Sequence, residues 1–410
     1  MSGANFICRG TPAFMRANIA FFLSAFAIFA TLYSVQPLLP ILAEEFKLDA
    51  GASSLALSAT TGPLAIALLF ASWVADRLGR RTLMVWAILA TAALGLVLPL
   101  MPNWPSLIAV RAAMGLTLSG LPAVAMVYLA EEMDPDALGV SMGLYIAGTA
   151  FGGMTGRLVS GVLADLIGWR YALGVLGISI ALAAIVVVLL LPRPQNSSRS
   201  SIGLNQLAGL IRLQFRDPGL PWLFLSAFLL MGSFVTLYNY AGFRLALPPF
   251  ALSHSAIAAI FVVYLLGSAS SAWAGGLAQR LGRRKVYWIM VVTMACGVFL
   301  TLIPHTVAVI AGLAIATIGY FAAHGIASAW VARRAVVGRA QASAIYLFAY
   351  YLGSSVLGTI GGYAWTGWGW NGVMLVSGGA IVLALLVAAR LFYLPPLPLP
   401  ESAAEPPPAV

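Results

Sequence analysis

Long apolar stretches alternate along this chain with short polar ones, and the apolar stretches lack the two-residue alternation of a half-buried strand. Twelve of them lie near 17–39, 51–74, 83–102, 106–129, 139–164, 169–191, 221–243, 253–276, 286–304, 307–331, 340–364 and 371–393. Each matches the roughly 20 residues that a helix needs to cross a hydrocarbon core about 30 Å thick. Runs of this kind predict helices, because a helix satisfies its backbone groups internally where lipid offers no partner. The first run follows Arg9 and Arg16 and contains Ala25-Phe26-Ala27, the pattern of a cleavable leader. Its apolar character continues past that point, as a retained span does. The expected fold is an all-α membrane protein of twelve transmembrane helices.

The longest polar interruption, 192–220, divides the runs six and six. The predicted parts are an N-terminal tail 1–16, a six-helix bundle 17–191, a linker 192–220, a second bundle 221–394, and a proline-rich disordered tail 395–410. Composition agrees: 61% of the 410 residues are apolar and 8% charged, far below the roughly 25% charged residues of a soluble domain. The net charge of +10 does not point to nucleic acid, because the 22 Lys and Arg are scattered between runs rather than gathered on one face. Seventeen of the 22 fall on the side of the N-terminus; three (Lys47, Arg170, Arg244) fall on the other, and Arg111 and Arg157 lie inside spans. An excess of positive loops marks the cytoplasmic side, so both termini are expected in the cytoplasm of an inner-membrane protein. Cys8 and Cys296 offer neither a disulfide framework nor metal-ligand spacing.

The halves repeat each other. Asp76-Arg77-Leu78-Gly79-Arg80-Arg81 returns as Gln279-Arg280-Leu281-Gly282-Arg283-Arg284. At a shift of 201, Tyr145, Gly152, Gly161, Gly168, Trp169 and Gly177 meet Tyr346, Gly353, Gly362, Gly369, Trp370 and Gly378. Six is even, so both copies enter the membrane in the same direction, as parallel repeats able to rock about a central site.

With these residues the whole chain resembles a major facilitator superfamily transporter. Ser72-Trp73-Val74-Ala75-Asp76-Arg77-Leu78-Gly79-Arg80-Arg81 is similar to the family's signature between its second and third helices, with Ser72 where glycine is usual; the second copy keeps Gly275 but has Gln279 for the acid. Arg111-Ala112-Ala113-Met114-Gly115 resembles the family's fourth-helix motif. Gly148 to Arg157 resembles a degenerate antiporter motif, with Gly156-Arg157 near the place of a glycine-proline pair. The nearest branch by these features is the drug- and sugar-efflux-like, acriflavine-sensitivity type. The resemblance implies a secondary transporter, most simply a proton-coupled exporter of a small organic molecule, with proton-coupled uptake of an organic anion as the rival.

The resemblance further implies that Asp76, Arg77, Gly79, Arg80 and Arg81 form a gate loop closing against the start of the eleventh span, near Arg339–Ser343, with Arg280, Gly282, Arg283 and Arg284 as its second copy. Glu131 and Glu132 stand where the other half has Arg333 and Arg334, which suggests an acidic-to-basic latch when the opposite side is open. Arg111 is read either as snorkelling to the outer interface or, by the resemblance, as a proton-transfer residue. Arg157 leans toward the membrane centre, because side chains tilt toward the helix N-terminus. Gly148, Gly152 and Gly156 form a small-residue stripe expected to pack between the halves. By the resemblance, cavity-lining spans offer Tyr33, Gln36, Ser119, Tyr238, Asn239, Tyr320 and His324, and the eleventh span adds Tyr346, Tyr350 and Tyr351. His324 is read as either a coupling residue, along with Arg111 and Arg157, or an interhelical hydrogen-bonding group.

All twelve acids fall in loops, tails or span ends. Two intramembrane arginines without an intramembrane acid favour an anionic or uncharged substrate. No catalytic constellation or phosphate loop is present, so neither an enzyme nor ATP-driven transport is expected. The chain is expected to act as a monomer on a small-molecule substrate, within the lipid bilayer, without nucleic acid or cofactor, and with a proton gradient as its driving force.

Overall fold

A computed structural model describes residues 6–196 and 203–394. The tail 395–410, the first residues of the N-terminal tail and Arg199 of the linker lie outside the described residues. Among the described residues, nine helices are long and apolar enough to cross a membrane. The count reaches twelve because the fourth span is broken into Trp104–Leu118 and Pro122–Glu132, the ninth, Arg283–Leu300, begins with three cationic residues, and the eleventh and twelfth form one run, Arg339–Phe392, bent at Gly369.

The breaks have local causes. The first span, Pro12–Tyr33, starts on the Thr11 cap, whose hydroxyl accepts the Phe14 amide at 3.2 Å. The sequence predicts one run here, 17–39. The helix ends at Tyr33, passes through a short turn at Gln36–Leu38 and resumes as Leu39–Glu45, because Pro37 has no amide to continue the ladder. The fourth run stops at Ser119-Gly120-Leu121, ahead of Pro122. The eighth span changes winding at Ile260–Val263 before Tyr264–Leu281.

Duplication is visible in the backbone. Gly79 and Gly282 have φ of 86° and 90°, and Gly168 and Gly369 have φ of 87° and 56°; these left-handed turns between consecutive spans are the conformation glycine adopts without steric cost. The arginine pair after them does one job twice. Arg81 donates to the Leu191 carbonyl at 3.1 Å and Arg284 to that of Phe392 at 3.4 Å, so each cation sits on the partially negative end of the sixth helix of its own half.

The glycine stripe corrects the expectation made for it. A Cβ at Gly148, Gly152 or Gly156 would lie 2.5, 2.2 or 2.4 Å from the carbonyl oxygens of Phe22, Phe26 and Ala30. The stripe therefore packs the fifth span, Pro135–Ile167, on the first span of the same half, not between halves. The second copy repeats the contact, with Gly353 against the Phe228 carbonyl of the seventh span, Leu220–Ala246.

The end of the molecule that holds Ile7, Leu394 and the linker helix Leu204–Gln214 is the terminal end; the opposite one is the far end. At the far end the halves touch. Gly51 meets Gly362, the Gly161 position abuts Ala258, and the Ser255 hydroxyl and amide donate to Asp165 at 2.6 and 3.1 Å.

Candidate functional site

At the middle of the molecule a polar chain links the halves. Arg157 donates through Nε to Gln36 Oε1 at 2.6 Å and through Nη1 to the Gly153 carbonyl at 2.7 Å, back along its own helix. Gln36 Nε2 in turn donates to Asn239 Oδ1 at 2.8 Å, on the seventh span. The guanidinium carbon lies 3.8 Å from the Tyr33 ring centroid, 4.7 Å from that of Tyr264 and 5.3 Å from that of Phe261. Three aromatic faces and two hydrogen bonds thus hold a cation that has no carboxylate partner among the described residues. Cation–π contacts of this kind are worth about 2 kcal/mol or more when desolvated. Beside it, Asn239 Nδ2 and the Tyr264 hydroxyl are buried without hydrogen-bond partners, an arrangement native interiors rarely leave unless a ligand or water completes it.

The second half supplies an aromatic wall. Phe234 stacks on Tyr320 at 3.9 Å, and the Tyr320 hydroxyl donates to that of Tyr350 at 2.8 Å. Tyr238 bonds Thr317 at 2.6 Å, and His324 Nδ1 pairs with the Tyr346 hydroxyl at 2.9 Å. His324 also lies 4.8 Å from the Tyr350 ring, which packs on Tyr351 at 4.9 Å. Across the interface, the Tyr33 hydroxyl approaches that of Tyr350. Tyr33, Gln36, Tyr238, Asn239, Tyr320, His324 and Tyr350 therefore belong to one connected network, which reaches Arg157 through Gln36 and Tyr33. Ser119 is not: its hydroxyl turns back to the Leu116 carbonyl at the break of the fourth span.

Phe234, Phe261, Tyr264 and Thr317 belong to this cluster without having been singled out from the sequence. Phe261 and Tyr264 sit in an uninterrupted apolar stretch whose local change of winding, at Ile260–Val263, turns both toward Arg157. Only the aromatic residues at 261 and 264 hinted at it.

Arg111 overturns the snorkelling alternative. It is fully buried and donates to Ala56 O at 2.7 Å, Thr31 O at 3.2 Å and Leu32 O at 2.8 Å. Its acceptors on the first span belong to that helix's last turn, where the break at Ser34–Pro37 frees carbonyls from the ladder. Ser160 serves the same break by donating to the Ser34 carbonyl at 2.6 Å. With all three guanidinium nitrogens engaged inside the protein, Arg111 has no reason to reach for the interface.

At the terminal end the gate residues are paired within halves. Arg80 forms an ion pair with Glu131, Arg77 lies 3.8 Å over Trp73, and Glu132 accepts the Gln195 and Asn196 amides at 2.8 Å each. Arg334 pairs with Asp217, the residue that caps the seventh span. In this conformation no latch joins Glu131 or Glu132 to Arg333 or Arg334. Asp76 shares a small cavity with Ala340 and Gln341 at the start of the eleventh span. The inter-half hydrogen bonds among the described residues, Gln36–Asn239, Ser58–Ser355, Ser58–Thr359 and Asp165–Ser255, all lie from the centre to the far end.

A cysteine pair replacing Asp165 and Ser255, in a background with Cys8 and Cys296 changed to serine, is expected to cross-link on oxidation and lock the far end. Mass-shift labelling checks the bond. Free thiols after oxidation would contradict a closed far end.

The sequence matches the Major Facilitator Superfamily over residues 21–249 and again over 229–409. It is 44% identical to the inner membrane transport protein YnfM of Escherichia coli (strain K12), over 94% of this chain and 93% of that one. It is 39% identical to the uncharacterized MFS-type transporter YybF of Bacillus subtilis (strain 168), covering 94% and 95%. Among solved structures, a bacterial homologue of the human lysosomal transporter Spinster, in an inward-facing and unoccupied conformation, superposes with a TM-score of 0.73 at 16% identity. That match covers 93% of this chain and 97% of the other.

Proposed function

The chain belongs to the Major Facilitator Superfamily and is a membrane transporter, and from that premise we propose that it exports a small organic anion, or an uncharged solute rich in acceptor oxygens, across the inner membrane in exchange for protons. The observation that carries the substrate class is Arg157: a buried cation without a carboxylate, beside the unpartnered donors Asn239 Nδ2 and Tyr264 Oη. A carboxylate or similar group entering there accepts a charge-assisted hydrogen bond from Arg157 and supplies the acceptors that Asn239 Nδ2 and Tyr264 Oη lack, while the tyrosine wall offers area to an aromatic or amphipathic body.

The cycle is alternating access about this centre. In the orientation favoured by the basic loops the terminal end is cytoplasmic, so a sealed far end makes this conformation the inward-facing one. The opposite state opens the Asp165–Ser255 contact and tightens the approach that Asp76 and Arg80 already make to the start of the eleventh span, with Glu131 exchanging Arg80 for Arg333. His324, in its bond with Tyr346, is the group through which a proton acts on the aromatic wall. Arg111, held by carbonyls, serves as a structural staple.

Uptake by proton symport is favoured by the same cavity charge and differs only in direction. Proteoliposome flux under imposed pH gradients of both signs decides between them. Export by exchange predicts that solute moves against the proton flow and that a protonophore abolishes accumulation. Movement with the proton flow assigns symport, and a permanently cationic dye transported with high affinity through the central site contradicts the anion reading.

A further inference from the structure

The cavity between the second and fourth spans at the terminal end has a twin between the eighth and tenth. Ser72, Ala75, Asp76, Arg80, Val124 and Val127 line the first. At shifts of 203 on the second span and 202 on the fourth, their counterparts are Gly275, Ala278, Gln279, Arg283, Ile326 and Ala329, and all six line the second. The charges have changed between copies. In the first, Arg80 stands beside Asp76 and pairs with Glu131. In the second, Gln279 replaces the first acid and Arg333 replaces Glu131, so two arginines share one pocket without an acid. Neither forms an ion pair among the described residues.

The covers have changed as well. Leu207 of the linker helix and Ala340 and Gln341 of the eleventh span help line the first cavity, which holds about 190 Å³. The second holds about 530 Å³, and among the described residues it is lined by its own half alone. A Cβ at Gly275 or Gly282 would meet open space, and the Arg283 guanidinium lies 5.9 Å from the Trp330 ring. The result is an open groove with two cationic forks at its mouth.

We propose that this second copy is a binding site for a phosphate group, held between Arg283 and Arg333 at the terminal end of the C-terminal half. Two guanidinium groups confined together repel, and an oxyanion between them turns that repulsion into charge-assisted, bidentate hydrogen bonds. The phosphate arrives either as the headgroup of an anionic phospholipid, whose chains run along the small-residue groove, or as a soluble phosphate ester. The site is separate from the Arg157 centre and does not depend on the direction or coupling of transport.

The test is thermal unfolding of the full chain in phosphatidylcholine nanodiscs, titrated with phosphatidylglycerol in the bilayer or with glycerol 3-phosphate in solution. The wild type is expected to be stabilised by at least one probe. Arg283→Gln with Arg333→Gln is expected to weaken the response by about tenfold or more. Gln279→Asp with Arg333→Glu, which restores the charges of the first copy, is expected to do the same. Arg212→Gln, which removes a linker-helix charge outside the groove, is expected to leave it. Stabilisation by phosphatidylglycerol alone assigns a lipid headgroup, and stabilisation by the soluble ester assigns a free anion. Unfolding midpoints that match the wild type in pure phosphatidylcholine show that the variants are folded. If both double variants respond to both probes as the wild type does, or if neither probe stabilises the wild type, the site does not exist.

Discussion

Replacing Arg157 by glutamine is expected to lower the initial transport rate by about 100-fold while leaving the protein folded. That factor corresponds to about 2.7 kcal/mol, the size of a single charge-assisted hydrogen bond lost from the transport cycle. The side chain has two jobs. Its Nε anchors Gln36, which reaches Asn239 on the other half, and under the proposed function its charge attracts the anionic solute. Glutamine removes the charge and shortens the reach to Gln36. Lysine keeps a charge but loses the planar fork that serves Gln36 and Gly153 together, and a loss of about tenfold is expected from it.

Two measurements separate these jobs. Proteoliposome flux reads the charge, and oxidative cross-linking of the Asp165→Cys/Ser255→Cys pair reads closure of the far end without any need for the substrate. The glutamine variant is expected to lose flux and also to cross-link less completely, because the Gln36–Asn239 bridge has lost its anchor. A variant with full flux and a merely lower thermal midpoint would reduce Arg157 to a packing residue.

The sequence made the helices legible because lipid imposes a length. Twelve apolar runs of about 20 residues admit few other readings, and the repeated loop at Gly79 and Gly282 disclosed the duplication. Breaks were harder. Pro37 and Pro122 lie within apolar runs that continue on both sides, so hydropathy passed over the interruptions that the backbone makes at Ser34–Pro37 and Ser119–Leu121. Spacing also revealed the stripe at Gly148, Gly152 and Gly156 but not its partner, since four-residue spacing shows that a helix approaches closely without saying which one. Contacts to Phe22, Phe26 and Ala30 settle that question in favour of the first span. The same limit explains Tyr264, whose role depends on a turn at Ile260–Val263 and on an arginine from the other half.

Arg111→Met is expected to lower the unfolding midpoint by about 3–4 °C, through a loss of about 3 kcal/mol. An arginine placed at the centre of a spanning helix costs about 2.5–3.5 kcal/mol by insertion scales, so its presence in the fourth span requires compensation. Its three acceptors, Ala56 O, Thr31 O and Leu32 O, lie on two other helices, which no local pattern reveals. Each such bond to a charged donor is worth about 1.5–3 kcal/mol. Methionine spares the cost of burying the charge but leaves the Leu32 carbonyl, freed by the break, without the donor that reached it. Lysine is expected to fare little better, because one ammonium on a flexible stem cannot take the place of three separately directed nitrogens. Flux should fall only as far as the amount of folded protein falls, with its pH dependence unchanged. The family resemblance associates the matching arginine with proton transfer, and the two roles give opposite signatures. A normal midpoint with lost or pH-shifted flux would make Arg111 a coupling residue, whereas a lowered midpoint with an unchanged pH profile leaves it as the staple that holds the broken first span to the second and fourth.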